Sequence, residues 1–365
     1  MTNKKHKISF CTVCMNRLHH LKKTLPKNIE DNISYGNVEF VVLNYNSKDA
    51  IDKWIFTEMI EYINTGILVY IKTEEPQYFL RSHSKNIAAK KASGDIVCNV
   101  DADNFIGEGF AKYINELFIK DKNSYFAVKK NSGSKDCYGR IGLFKDDFIS
   151  ITGYDESMTD YGFEDFDIQN RLDLLGRKAK YITNTKFLKV LNHDDITRIE
   201  NEPHINEIDK IYIRYINHYS SELLFLFKNN NYTKGLIMVN RLINSESIDN
   251  AFNENRTYEY TNSLENDSWE KGVWYRELYG IKTIYKTTTI TELIQTKKRE
   301  LQNKKDVGMK YYECTKTELF EEMVMFLSQI SNRIKMKQNK ANKKIHVNEV
   351  FGETVLIENK LPKQQ

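Results

Sequence analysis

The sequence is poor in the features that mark several common classes of protein. Its 365 residues include only 4 prolines and 16 glycines, too few for a collagen-like or proline-rich chain. No apolar run approaches the roughly 20 residues that a membrane-spanning helix needs, and the N-terminal residues lack the apolar core of a signal peptide. We therefore expect a soluble chain that meets a membrane at most at its surface.

An excess of one charge and an even set of cysteines are also lacking. The 54 lysines and arginines and the 50 aspartates and glutamates leave a net charge of +4, which gives no case for a nucleic-acid-binding protein or a disordered acidic chain. The 5 cysteines are an odd number, as expected of reduced thiols in a cytoplasmic protein. Cys11 and Cys14 form a C-x-x-C pair within an apolar run, without a second pair nearby, so we expect core packing rather than metal or redox chemistry.

The first half of the sequence alternates regularly between β-branched runs and amphipathic segments, and the length of the chain suggests about two domains. We predict strands at residues 8–14, 38–43, 68–72 and 96–100, and helices at residues 19–31, 48–65 and 82–92. Strands separated by such helices require crossover connections, so we predict an α/β fold with a mainly parallel sheet and helices on both faces. Ligands of such sheets bind at the carboxyl ends of the strands.

Two acidic residues follow one of these strand ends. Asp101 and Asp103 come directly after the predicted strand 96–100, and residues two apart in an extended segment point the same way. Two such carboxylates suit a hard divalent cation that carries a diphosphate. A polar turn is the alternative interpretation, because a D-x-D pattern also occurs by chance.

Two further clusters carry ionisable groups. Glu164 and Asp165 occupy the first turn of a predicted helix, where the helix dipole favours carboxylates and where one of them can act as a general base. An acidic helix start without a function is the alternative. His193 follows an apolar stretch, and its imidazole would complete a metal site begun by Asp103, although a single histidine is more often structural.

Taken in this order, the three clusters resemble the GT-A nucleotide-sugar glycosyltransferases, chiefly family 2. Residues 8–17 are similar to that family's first strand and nucleotide loop, and residues 38–47 to its second strand and turn. Residues 84–95, followed by 100–103, are similar to its helix and D-x-D motif. Residues 161–172 resemble the W-G-G-E-D-D-D-I-x-N-R-L stretch of the animal β4-galactosyltransferases and the bacterial chondroitin-type polymerases. The resemblance covers residues 6 to 200 and implies a GT-A fold, which is Rossmann-like.

The resemblance also implies a role for individual residues on the donor side. Those expected to contact the nucleotide, the ribose or the diphosphate are Thr12, Asn16, Arg17, Asn44, Asn46, Lys85 and Asp101. Asn44 stands where an Asp is commoner, and Lys85 stands where many members carry an Arg. Asp103 and His193 match the metal ligands, for Mn²⁺ or Mg²⁺. Val190 stands where the galactosyltransferases have another ligand, three positions before His193, and cannot coordinate.

The chemistry that the resemblance implies is a single displacement. Asp165 would deprotonate the acceptor hydroxyl, and Glu164 would hold a sugar by hydrogen bonds. With one base and no evident nucleophile we expect inversion, from an α-linked UDP-sugar to a β-linkage. The expected enzyme is a hexosyltransferase or N-acetylhexosaminyltransferase that acts on a glycan or a lipid-linked saccharide in bacterial surface polysaccharide synthesis.

Other residues and other functions stay open. Tyr154, Tyr161, Phe163 and Phe166 flank the acidic cluster and either stack on sugar rings or pack in the core. Arg140 precedes a further strand and is not assigned to the site. A catalytically silent carbohydrate-binding or scaffold protein on the same fold is the alternative function. A nucleotidyltransferase is disfavoured because its glycine-rich phosphate loop is missing after the first strand.

Beyond residue 205 the prediction depends on periodicity alone. We expect a catalytic domain at residues 1–205 and a mainly helical domain at residues 206–365, with helices at 208–227, 236–243, 292–305 and 316–340 and a loop at 253–267. Aromatic residues between 269 and 279 either anchor a core or line an acceptor groove.

A basic segment lies near the end of the chain. Its residues are Arg333, Lys335, Lys337, Lys340, Lys343 and Lys344. They form either a solvated helix face or a contact with an anionic membrane surface. We expect a cytoplasmic protein without a nucleic-acid partner. The sequence leaves open a peripheral position at the inner face of the membrane, and a homodimer.

Overall fold

The computed structural model describes residues 5–129, 135–192, 195–217, 220–239, 258–259, 269–276, 282–286 and 289–357. The chain forms two compact units, one of Met1–Glu202 with Lys335–Gln365 and one of Pro203–Ile334. The expected division at residue 205 placed the whole C-terminal part in the second domain. The structure instead places the last segment, from Lys335 onward, with the first unit.

The first unit is built on a seven-stranded sheet and a two-stranded sheet. Its strands are β1 (Ile8–Cys14), β2 (Val38–Tyr45), β3 (Leu68–Thr73), β4 (Ile96–Asn99), β5 (Asn104–Phe105), β6 (Ser124–Val128), β7 (Gly142–Phe144), β8 (Lys178–Ile182) and β9 (Lys189–Val190). The large sheet has the order β3-β2-β1-β4-β7-β6-β8, and β5 pairs with β9. Only β7 runs antiparallel to its neighbours in the large sheet, so the sheet is mainly parallel.

Helices connect the parallel strands, as crossovers require. They are α1 (Leu18–Glu30), α2 (Ile51–Glu58), α3 (Ile60–Asn64), α4 (Arg81–Lys91), α5 (Phe110–Lys120), α6 (Lys145–Ser150), α7 (Glu164–Leu174) and α8 (Asp195–Ile199). The predicted helix at 48–65 is in fact two helices, which meet at Met59, where φ is −113°.

The strands of this sheet are apolar on both faces because each face is covered. Phe10 and Val42 pack into a core that includes α1 and α5, whereas the alternate residues Cys11 and Val41 pack into a core that includes α4 and α7. This arrangement confirms the predicted α/β fold with a mainly parallel sheet. It also confirms the predicted core position of Cys11, whose thiol pKa is raised by burial.

The C-terminal segment of the first unit lies along the sheet and the elements beside it. The ring of Phe351 packs against that of Phe148, with centroids 5.9 Å apart. The amide of Ile357 donates to the carbonyl oxygen of Lys72 at 2.9 Å, in an antiparallel bridge to β3. Since β3 is at the end of the strand order, this segment covers an edge of the large sheet.

The second unit consists of antiparallel strands with a helix at each end of its chain segment. Its elements are α9 (Pro203–Glu207), β10 (Ile208–Asn217), β11 (Ser220–Phe227), β12 (Asn231–Val239), β13 (Tyr258–Glu259), β14 (Glu270–Arg276), β15 (Lys282–Lys286), β16 (Thr289–Lys297), β17 (Glu300–Asn303), β18 (Lys310–Glu313) and α10 (Thr317–Ala341), which continues into the first unit. The order is β11-β10-β18-β17-β16-β15-β14-β12-β13, and β11 also pairs with β12, so eight of the strands close into a ring.

The prediction of a mainly helical second domain is therefore wrong. The described residues of 208–227, most of 292–305 and the described part of 236–243 form strands. The first segment was misread because Ile211, Tyr212 and Ile213 are all buried, so the polar and apolar alternation of a strand is lost. The helix predicted at 316–340 is confirmed by α10. Most of the loop predicted at 253–267 lies outside the described residues.

Trp274 is buried and donates from Nε1 to the carbonyl oxygen of Phe227 at 3.0 Å, so it anchors the core of the second unit. Tyr279 lies outside the described residues. In the part of the chain that the structure describes, no helix is long and apolar enough to cross a membrane.

Candidate active site

Two acidic residues and a lysine form the centre of the candidate site. Helix α7 begins at Glu164, after a turn in which Gly162 and Phe163 both have positive φ values of 82° and 68°. The ammonium nitrogen of Lys85, on α4, lies 3.0 Å from Oε1 of Glu164 and 2.8 Å from Oδ1 of Asp165. Lys85 and Glu164 are buried, whereas Asp165 is 15% exposed. Asp165 is therefore the carboxylate of the pair that a second molecule can reach.

The three groups have shifted pKa values. Burial raises the pKa of Asp165 to about 7; Lys85 opposes this rise, whereas Glu164 and Asp101 add to it. For Glu164, burial also favours the neutral form, but Lys85 and Arg81 outweigh burial and the pKa is lowered. Burial acts to lower the pKa of Lys85, yet the two carboxylates raise it well above its usual range. Lys85 therefore stays charged, and Asp165 titrates near neutrality.

The D-x-D residues lie just beyond the end of β4. Oδ1 of Asp101 accepts from Nδ2 of Asn99 at 3.0 Å, and Oδ1 of Asp103 accepts from Nδ2 of Asn104 at 2.8 Å. Burial raises the pKa of Asp101, with Lys85 opposing and Asp103 adding to the rise. The site is tightly packed here, because a Cβ atom on Gly139 would lie 2.6 Å from Oδ2 of Asp101.

The carboxylates of Asp101 and Asp103 fit a metal that is held mainly by its substrate. Magnesium and manganese take oxygen ligands and are commonly bound through one or two carboxylates together with substrate phosphates. Among the described residues, no group of three or more His, Cys, Asp and Glu side chains forms a cage for a metal. The amide of Leu191 donates to the carbonyl oxygen of Asp103 at 2.9 Å. His193, the other predicted ligand, lies outside the described residues.

The predicted nucleotide loop follows β1. Asn16 has a positive φ of 57°. Its Oδ1 accepts from the backbone N–H of Lys48 at 2.7 Å, and its backbone N–H donates to Oγ of Ser47 at 3.0 Å. Arg17 forms an ion pair with Glu200 at 2.9 Å and is in electrostatic contact with Asp103. Arg17 is thus within electrostatic reach of the D-x-D residue Asp103, whereas Asn16 contacts Ser47, Lys48 and Asn201.

The remaining predicted donor residues are more enclosed. Asn44, opposite Cys14 in the sheet register, is fully buried; its Nδ2 donates to Asp52 at 2.9 Å and its Oδ1 accepts from the amide of Ser47 at 2.9 Å. Asn44 therefore links β2 to α2. Thr12 is buried within β1. Asn46 has φ of 55° and donates to the carbonyl oxygen of Pro76 at 2.8 Å.

The sequence did not indicate a group of residues that lies beside the loop after β1. Arg81 forms an ion pair with the buried Glu202, donates to the carbonyl oxygen of Arg198 at 2.7 Å, and stacks 4.4 Å from the ring centroid of Tyr161. Nδ2 of Asn16 donates to Oδ1 of Asn201 at 2.7 Å. The contacts of Arg81 with Glu202 and Arg198, and that of Asn16 with Asn201, join residues more than a hundred positions apart, so the local sequence carries no signal for them.

The aromatic residues near the acidic cluster divide into two kinds. Tyr154 is buried, and its ring lies 5.1 Å from the Lys85 ammonium, so it packs against the lysine. Phe163 and Phe166 are half-buried with ring centroids 6.0 Å apart, and Tyr138 lies 5.9 Å from Phe166. This second cluster borders the first turn of α7, where Asp165 lies.

Comparison with protein-family models gives two overlapping matches. Residues 9–161 match Glycosyl transferase family 2, and residues 124–199 match the model described as the N-terminal domain of galactosyltransferase. These matches confirm the resemblance expected from the sequence. They span the elements that carry all of the predicted site residues.

Comparison with solved structures gives more distant similarity. TarS of S. aureus, residues 1–349 in complex with UDP, is 15% identical over 49% of this chain and 58% of that chain, with a TM-score of 0.41. The mannosyltransferase PcManGT of Pyrobaculum calidifontis, in complex with GDP-Man and Mn²⁺, is 16% identical over 54% of this chain and 62% of that chain, with a TM-score of 0.45. The chain therefore spans less than two thirds of either protein. Comparison with curated proteins gave no match.

Proposed function

Residues 9–199 match two family models of glycosyltransferases, and we propose that the chain is a metal-dependent inverting enzyme that moves a sugar from a UDP-sugar to a hydroxyl of a glycan or glycolipid. The observation that carries the proposal is the contact of Lys85 with both Glu164 and Asp165, in electrostatic reach of Asp101. A cation and a base would then act together within electrostatic reach of Asp101, which follows β4, and ligands of parallel sheets bind at the carboxyl ends of the strands.

Asp165 is the general base of the proposed reaction. A base works best when its pKa lies near the working pH, and burial brings the pKa of Asp165 to about 7. Asp165 would take the proton of the acceptor hydroxyl while that oxygen attacks the anomeric carbon and the bond to the diphosphate oxygen breaks. Attack from the side opposite the leaving group inverts the anomeric centre. Glu164 is ionised and buried, and it contacts Lys85; its hydrogen bond to the acceptor or donor sugar stays a prediction.

The donor is proposed to bind along the loop after β1 and the D-x-D turn. Asp103, with Asp101 beside it, would hold Mn²⁺ or Mg²⁺, and a cation there would neutralise charge that develops on the leaving diphosphate. Lys85 would add a second positive charge to that leaving group. The other residues proposed to act on the donor are Thr12, Asn16, Arg17, Asn44, Asn46 and Asp101. Asn44 is fully buried and would act by holding the loop after β2 in position. His193 stays a predicted ligand.

The proposal is tested by measuring release of UDP from a panel of UDP-hexoses and UDP-N-acetylhexosamines. We expect Mn²⁺-dependent release with at least one donor, loss of release with EDTA, and loss in Asp103→Asn. Asp146→Asn, an exposed change in the first turn of α6, is the matched control and should behave as wild type. A chain that binds donors but never releases UDP would instead be a silent carbohydrate-binding protein. An α-linked product, identified by NMR, would contradict inversion.

A role in bacterial surface polysaccharide synthesis, with peripheral contact to an anionic membrane, is part of the proposal. Lys340, Lys343 and Lys344 are exposed, whereas Lys335 donates to the carbonyl oxygen of Ser157 at 2.8 Å within the first unit. The wild-type protein should sediment with anionic phosphatidylglycerol vesicles and not with neutral vesicles. Replacing the three exposed lysines by glutamate should abolish this sedimentation. Binding that survives this change would rule out the electrostatic contact.

A further inference from the structure

A buried arginine lies behind the D-x-D turn. Arg140 is 0% exposed, and its Nη2 donates to Oδ1 of Asn104 at 2.7 Å. Within the described part of the chain, its Nε and Nη1 have no hydrogen-bond partner. The ring of Phe110 lies 5.8 Å from the guanidinium carbon. Burying a guanidinium with two nitrogen atoms that lack a hydrogen-bond partner is costly, so this residue calls for a reason beyond packing.

Asn104 connects this guanidinium to Asp103. The Asn104 side chain is fully buried, and its Nδ2 donates to Oδ1 of Asp103 at 2.8 Å and to the carbonyl oxygen of Asp136 at 3.2 Å. Its backbone is held as well, because Nδ2 of Asn28 donates to its carbonyl oxygen at 2.9 Å. One amide group thus separates a buried cation from the carboxylate proposed to bind the metal.

The chemistry of arginine determines which way this amide points. A guanidinium has only donors, so the group that faces it must be the amide oxygen of Asn104. The amide NH₂ group then has to face Asp103, as a donor to a carboxylate. Without Arg140, the amide oxygen of Asn104 would lose its donor, and only the acceptors on Asp103 and Asp136 would hold the NH₂ group, so the amide would restrain the Asp103 carboxylate less firmly.

We propose that Arg140 is a positioning residue for the metal site, acting through Asn104 to fix the orientation of the Asp103 carboxylate. The inference depends on the proposed function, since it takes Asp103 as the metal ligand. Outer partners that orient a ligand in this way commonly change metal affinity by about 10- to 100-fold.

A competing effect has the opposite sign. Arg140 carries a positive charge in electrostatic contact with Asp101 and Asp103, and that charge alone would repel a divalent cation. If repulsion dominated, removing the guanidinium would tighten metal binding. The proposal states that orientation dominates, so removing it weakens binding. The sign of the change therefore separates the two effects.

The test is direct Mn²⁺ binding to the full chain, measured by the electron paramagnetic resonance signal of free Mn²⁺, with and without UDP. We expect Arg140→Met and Asn104→Leu each to weaken binding by about 10-fold. The double variant should be no weaker than either single variant, because both changes break one relay. Arg140→Lys, which can still donate to Oδ1 of Asn104, should recover part of the affinity. Thermal unfolding is followed for each variant.

Each outcome decides a separate question. Unchanged or tighter binding in a folded Arg140→Met, or additive losses in the double variant, would overturn the relay. If Arg140→Met does not fold, Asn104→Leu and Arg140→Lys are compared in the same way, and wild-type affinity in both overturns it. Asp103→Asn sets the baseline: if that variant binds Mn²⁺ as wild type does, the proposed metal ligand itself is wrong, whatever the Arg140 variants do.

Discussion

The ammonium nitrogen of Lys85 lies 2.8 Å from Oδ1 of Asp165. The same nitrogen contacts Glu164, so one cation on α4 holds the first turn of α7 through two carboxylates. Of these carboxylates, only Asp165 is partly exposed and has a raised pKa. The contact therefore couples the protonation of the proposed base to the charge of a residue on another helix.

Asp165→Asn should remove the general base and leave the shape of the site unchanged. We expect kcat to fall by about 10²- to 10⁴-fold, which is the usual contribution of a positioned base, with a small change in the KM of the donor. Steady-state UDP release measures both constants. Asp146→Asn serves again as the control. Turnover close to wild type in Asp165→Asn would remove this residue from the mechanism.

The pH dependence of turnover should follow the protonation of Asp165. A base is active only when deprotonated, and burial raises the pKa of Asp165 to about 7, so kcat/KM should rise with pH through neutrality. Because Lys85 lowers that pKa, Lys85→Met should move the rise to higher pH, whereas Lys85→Arg should keep it near the wild-type position. A profile that does not respond to Lys85→Met would contradict the assignment.

Asn44→Asp introduces the residue that is commoner at this position in the family that the sequence resembles. We expect this change to destabilise the protein. The new carboxylate would face Asp52, which now accepts from Nδ2 of Asn44 at 2.9 Å. The free energy of unfolding should fall by about 1–3 kcal/mol, as for other lost buried hydrogen bonds. Urea denaturation measures it. Asp52 also accepts from Tyr70 and Lys72, so Asp52→Asn alone should lower stability as well. The double variant Asn44→Asp, Asp52→Asn should lose less stability than the sum of the two single variants, and additive losses would show that the contact is not the cause.

Gly139→Ala should disturb the D-x-D turn through a steric effect. The added Cβ would lie 2.6 Å from Oδ2 of Asp101, so that carboxylate must move. We expect the KM of the donor to rise several-fold while the fold is kept, as checked by circular dichroism. Gly308→Ala, where the nearest atom is 3.3 Å from the new Cβ, is the matched control. An unchanged KM would mean that Asp101 does not contact the donor.

Asn339→Ala should show how the C-terminal segment supports the first unit. Nδ2 of Asn339 donates to Asp155 at 2.8 Å and to Asp167 at 3.0 Å, and all three residues are buried. Losing this shared donor should lower the free energy of unfolding by about 1–3 kcal/mol. Asn342→Ala, at an exposed position just beyond the same helix, should have almost no effect. Equal effects of the two changes would exclude the proposed support.

The sequence predicted the first unit well because its signals are local. Strands buried on both faces alternate with amphipathic helices, one acidic pair closely follows a strand, and the other begins a helix. The second unit was misread for a physical reason: Ile208, Ile211, Tyr212 and Tyr215 have helical spacing, yet their β-branched and aromatic side chains form a strand. A strand covered on both faces cannot be told from a buried helix by periodicity alone.

The partners of the site residues could not be predicted, because they come from distant parts of the chain. Lys85 meets Asp165 across 80 positions, and Asn339 meets Asp155 across 184. Such pairs depend on how the helices pack, which periodicity does not encode. Arg140 was passed over because nothing beside it in the sequence indicates that Asn104 would be its acceptor.

The bridge between Ile357 and Lys72 also bears on how the protein behaves in concentrated solution. A strand at the end of a sheet offers unpaired amide and carbonyl groups to any other strand that approaches. By covering part of β3, the C-terminal segment removes hydrogen-bonding groups that another chain could pair with. Shortened forms of the chain that lack this segment should therefore aggregate before they lose their secondary structure.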